Sequence, residues 1–161
     1  MKRVKKNSKV EPIIDEYIQP IYPPYRLYVC INCSKEDLDS KFEFEDGSSI
    51  YYSPSEYNTT EDVLSKVYKI KSNAIVDAYT NYGVRLKGTE DEWAIVIVIN
   101  NIETGINNTI AHESFHAAHR ILDHCGVTLG EDSTECFAYM VGYIAECCHK
   151  TVDKAKWVMF S

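Results

Sequence analysis

Along this chain the apolar positions change period. Up to Ile99 they form short strand-like blocks separated by brief helical stretches; from Ile110 onward they recur every three or four residues, the spacing of helices. Tyr25 to Ile31 is rich in aromatic and β-branched residues and predicts a first strand. Ser34-Lys35-Glu36-Asp37 resembles a capping box with Asp in place of Glu, and predicts a short helix to Phe42 that sets Leu38 and Phe42 one turn apart. Phe42-Glu43-Phe44-Glu45 alternates, and Asp46-Gly47 predicts a turn into a returning strand at Ile50-Tyr51-Tyr52, which Pro54 ends or confines to an edge. Thr59 or Thr60 is placed to cap another helix bearing Val63, Leu64, Val67 and Tyr68. Ala74 to Tyr79 reads as a strand, and Gly83 and Lys87 to Asp91 as turns. Trp93 to Ile99 is the strongest strand signal, apolar on both faces and so expected to be covered on both.

Two long helices follow a polar loop at Asn100 to Asn108. The first carries Ile110, Phe115, Ala117, Ala118, Ile121 and Leu122, and Gly126 is suited to the left-handed residue that ends it. Asp132 or Ser133 can cap the second, whose apolar stripe is Phe137, Ala138, Val141, Ile144 and Ala145. The whole order predicts an α+β fold, a small, largely antiparallel sheet packed on the two final helices.

Length and charge narrow the picture. The chain has 161 residues, enough for one core. Residues 1–20 are polar, interrupted by proline and basic at the start, and read as a flexible tail; residues 21–161 read as a single domain. Five of the seventeen basic residues lie among the first nine, with no acid beside them. The remainder therefore holds twelve against twenty-four acids, near −12, a body that disfavours nucleic acid. No apolar run follows the basic start, which predicts no signal peptide, no membrane span and a cytoplasmic protein. Six cysteines are then expected as thiols, and Cys30-x-x-Cys33 lacks the second pair of a zinc finger.

Chemistry concentrates in His112-Glu113-Ser114-Phe115-His116. Histidines four apart stand on one flank of a helix and can aim at one metal ion, with the intervening glutamate beside it as a proton acceptor. Such a match arises by chance in roughly a few per thousand chains of this length, as two solvated surface histidines. Against chance stands a suitable third ligand. Glu135 opens the second helix nineteen positions after His116, and a short connection would lay the helices antiparallel. Its plain alternative is a first-turn acid favoured by the helix dipole.

The set His112, Glu113, His116 and Glu135 resembles the gluzincin pattern of zinc metallopeptidases, with Thr134-Glu135-Cys136-Phe137-Ala138 similar to the Asn-Glu-Gly-Phe-Ala run of the zinc aminopeptidases. Tyr139 stands where the thermolysin-like enzymes carry an aspartate. The likeness spans about Ile110 to Ala145; a looser one is to small uncharacterised phage and prophage proteins. It implies a zincin-like fold with a substrate-holding edge strand, and Zn²⁺ on His112, His116 and Glu135. It also implies Glu113 as general base and a peptide or protein substrate. Tyr139 or Tyr143 is the candidate oxyanion donor, and His119 could support the site. Two other readings stay open: a structural zinc in a binding or assembly module, within a phage-infected cell or virion, and a metal-free helical interaction protein.

Overall fold

The computed structural model describes residues 11–18, 25–44, 77–90, 92–102 and 106–160. Among them five strands, β1 (Ile13–Ile18), β2 (Tyr25–Ile31), β3 (Phe42–Phe44), β4 (Ala78–Leu86) and β5 (Trp93–Ile99), form one mixed sheet in the order β1-β2-β5-β4-β3. Three helices accompany it: α1 (Lys35–Lys41), α2 (Ile106–His124) and α3 (Thr134–Phe160). The class is α+β, as the periodicity predicts.

Three of the four strand pairings are antiparallel; the exception, β2 with β5, is parallel and central. β5 is covered on both faces. Ile95, Ile97 and Ile99 join Leu27, Val29 and Ile31 under α2 and α3, while Ala94, Val96 and Val98 join Tyr28, Leu38 and Phe42 on the opposite face. Alternate side chains of one strand thus complete two cores, which explains its unbroken apolar run.

Several local signals hold among the described residues. Ser34 caps α1 reciprocally with Asp37, and Leu38 and Phe42 are buried together. At the end of α2, Gly126 has φ 75°; the Val127 N–H donates to the Leu122 carbonyl (2.8 Å) and the Gly126 N–H to that of Asp123 (2.9 Å), a Schellman closure. Before α3, Glu131–Ser133 make a 3-10 turn, and the Ser133 hydroxyl accepts from the Gly130 N–H (2.9 Å) and donates to the Thr128 carbonyl (2.6 Å).

Two expectations change. The stretch read as the end of a tail contains β1, which pairs with β2 along its whole length because Ile13 and its neighbours close the edge of the helix-side core. Gly83 does not turn the chain. At φ 75° it sits in a bulge where the β4–β5 register shifts between Asn81 and Val84, and the strand continues to Leu86. The basic start, the Asp46-Gly47 hairpin with Ile50 to Tyr52, the helix after Thr59 and the first residues of the Ala74 strand lie outside the described residues.

Candidate metal centre

The face that α2 buries decides what its other face presents. Ile106, Ile110, Ala117, Ala118, Ile121 and Leu122 are buried against the sheet and α3, and the helical period then lifts His112 and His116 onto the outward crest. Their Nε2 atoms are 3.1 Å apart and their rings meet edge to face, with centroids at 4.7 Å. Two nitrogens bound to one tetrahedral zinc at 2.0–2.1 Å stand about 3.3 Å apart. The pair therefore fits two ligands of a single ion.

Glu113 faces the other way, into the protein. It is 6% exposed, and a buried carboxylate is costly unless it is hydrogen-bonded. Thr80 of β4 supplies the bond: its hydroxyl donates to Glu113 Oε2 at 2.6 Å and also lies 3.2 Å from the Glu113 carbonyl oxygen. Oε1 remains 3.9 Å from His112 Nε2. One carboxylate oxygen is thus held by the sheet and the other is left beside the crest. In front of them opens a cleft of about 350 Å³, lined by Asp77, Ala78, Asn108, Thr109, His112 and Glu113. The flank of β4 at Ala78 to Asn81 has no strand partner beyond it among the described residues, since β3 pairs only with Val84 to Leu86.

On the other side of the crest, α3 begins. Phe137 packs its ring 6.4 Å from Phe115 and 6.0 Å from His119, so the first turns of α3 lie level with the His-Glu-x-x-His turn. Glu135 is exposed in that first turn, two residues before Phe137. Among the described residues no set of three or more His, Cys, Asp or Glu side chains is gathered as a metal site; the histidines stand as a pair. Tyr139, one turn after Glu135, is 75% exposed. Tyr143 is committed elsewhere. Its hydroxyl donates to the Ile18 carbonyl of β1 (2.9 Å), which removes it from the oxyanion candidates, and burial pushes its pKa up to about 12. His119 lies among aromatic rings between the helices, and His124 and His149 are exposed at other positions of α2 and α3.

The residue that sequence reasoning missed is Thr80. A threonine in a strand carries no pattern that points to a carboxylate thirty-three residues later. Only the alternation that turns Ala78 and Thr80 to the helix side hints at it, and that requires knowing which face the helix covers.

No family model, curated protein or solved structure matches the chain. Among the described residues no helix is long and apolar enough to cross a membrane.

Proposed function

We propose that this chain is a zinc-dependent peptidase of the gluzincin kind, built on a zincin-like arrangement of sheet and helices. The observation that carries the reading is the His112–His116 pair at 3.1 Å beside a buried glutamate whose far oxygen is held by Thr80. His112 and His116 would hold the ion, and Glu135 at the start of α3 would be the third ligand. When bound, zinc would supply Lewis acidity and an acidified water. Glu113 takes the proton during attack on the peptide carbonyl and returns it to the leaving amine. Its position supports this, because a proton carrier must sit beside the reacting centre without ligating the ion. Tyr139, exposed one turn from Glu135, is the candidate donor to the developing oxyanion.

A structural zinc in an assembly module, of phage origin or not, is the competing reading. Structural sites are closed by four protein ligands. Here the His112 side chain is 68% exposed and fronts an open cleft, which favours catalysis. The substrate side is a peptide or protein. All six cysteines are free thiols, which supports residence in a reducing compartment such as the cytoplasm.

Elemental analysis of protein purified without chelator should find about one zinc per chain. The loaded protein should cut members of a peptide library, and Glu113→Gln should keep the zinc while cleavage falls on the order of 10²-fold or more. Absence of zinc after titration ends the proposal, and equal cleavage by Glu113→Gln removes Glu113 as the base. Tight zinc with no cleavage by either protein moves the structural reading to first place.

A further inference from the structure

The crest of α2 does not stop at His116. One more four-residue step brings Arg120 to the same flank, its Cα roughly 6 Å further along the axis. Arg120 is the one lysine or arginine in α2. Its guanidinium carbon lies 4.9 Å over the ring of Tyr82, which β4 presents partly exposed. Stacking on an aromatic face fixes the plane of the guanidinium and leaves its edges able to donate. Its Nε atom is shielded from solvent and meets no acceptor among the described residues. The nearby anion, Asp123 on the same helix, is 3.7 Å from Nη1, and both side chains are substantially exposed, so this contact holds the fork weakly.

β4 and α2 run side by side in the same direction. Ala78 shares the cleft with Thr109, Thr80 bonds to Glu113, and Tyr82 meets Arg120. The cleft, the histidine pair and the guanidinium therefore follow one another along a single line. An extended peptide advances about 3.3 Å per residue, so a chain laid along this line passes from the histidines to Arg120 in about two residues.

We propose that Arg120, oriented by Tyr82, determines the specificity of this cleft by taking a carboxylate: an Asp or Glu side chain within two residues of the bond that is cut. The terminal Nη1/Nη2 edge of a planar guanidinium matches a carboxylate in two-point contact, and the incoming group displaces the loose Asp123. In a chain of net charge −7, a fixed cation on the crest selects for acidic peptides where the surrounding field disfavours them. This inference rests on the peptidase reading above.

The test is digestion of a diverse peptide mixture by the zinc-loaded full chain, followed by kinetics on matched peptides that differ only by Glu, Gln or Lys at the selected position. Wild type should enrich Asp and Glu within two residues of the cut and prefer the Glu peptide over Gln by about tenfold in kcat/KM, carried by KM. Arg120→Gln should bring that ratio to about one, Arg120→Lys should retain part of it, and Arg120→Glu should invert it toward the Lys peptide. Inversion by a folded charge-reversal variant is not produced by a residue that only supports the helix. Cleavage by wild type without acidic preference, or an unchanged preference in Arg120→Glu, overturns this inference and leaves the peptidase reading standing. No cleavage of any peptide by zinc-loaded wild type overturns both.

Discussion

Two short motifs in this chain each bring a pair of potential metal ligands together, and the fold treats them oppositely. Cys30 and Cys33 lie at the end of β2 and just beyond it, buried in the core on the α1 side of the sheet. The Cys33 thiol sits 3.5 Å from the carbonyl oxygens of both Ile13 and Ile31. A hydrogen bond with Cys33, and then burial, hold the Cys30 thiol well above the ordinary thiol range. Metal binding and redox attack both need the thiolate, so Cys30 is held in its unreactive form, and Cys33 is buried beside it. His112 and His116 stand instead on an exposed crest, nitrogens converging, with the Glu113 carboxylate and a cleft beside His112. Spacing alone does not separate the two pairs. Access does: the cysteines are buried and the histidines are exposed.

The sharpest way to break the contrast is to remove one member of each pair. His116→Ala should lose zinc and bring hydrolysis to background, a fall of on the order of 10³-fold, because a two-ligand remnant binds weakly. Cys33→Ala should keep its zinc. Metal content that follows the cysteine would invert the comparison.

A smaller effect is expected one shell out. Thr80→Val keeps the shape but cannot donate to Glu113, and should cut activity by roughly 10–100-fold with zinc retained, while Thr80→Ser restores most of it. Equal activity in the serine and valine variants would show that the hydroxyl does not orient the base. The two pairs also differ in chemical access. In native protein, iodoacetamide should label exposed Cys136 first, with buried Cys30, Cys33, Cys147 and Cys148 reacting only on unfolding, as peptide mapping by mass spectrometry would register.

The smallest effect is alkaline. Burial raises Cys148 from the ordinary thiol value of 9.0 to about 12 and Tyr143 from 10.0 to about 12. Between those values the unfolded chain has released protons that the native chain still holds, so stability falls as pH rises from about 9 to about 12. Tyr143→Phe should flatten the upper part of that decline in urea titrations. A slope identical to wild type would mean that the phenol is not protected by the fold.

Much of the architecture was legible beforehand. The capped start of α1, the doubly covered β5, the Schellman end of α2 and the outward pairing of His112 with His116 all follow from residues within one turn or one strand of each other. What escaped was non-local or lay against local signal. β1 hid in a polar stretch because its pairing with β2 and Ile13's burial define it, and neither is local. Gly83 carried a turn signal, yet β5 continues alongside and the chain absorbs the glycine as a bulge. Tyr143 looked as available as Tyr139 until β1 took its hydroxyl.

By itself, then, the sequence determined that two histidines would share a helix flank with a glutamate between them, since a period of 3.6 residues leaves no other arrangement once the apolar side is buried. Only the tertiary structure decided which groups meet that helix from outside. The Thr80 hydroxyl on Glu113 and the Tyr82 ring under Arg120 come from β4, and β4 reaches α2 only because the sheet order sets it beside β5. Contacts across more than thirty residues leave no periodic trace in the chain. They arise when whole faces pack, and burial rather than spacing selects them.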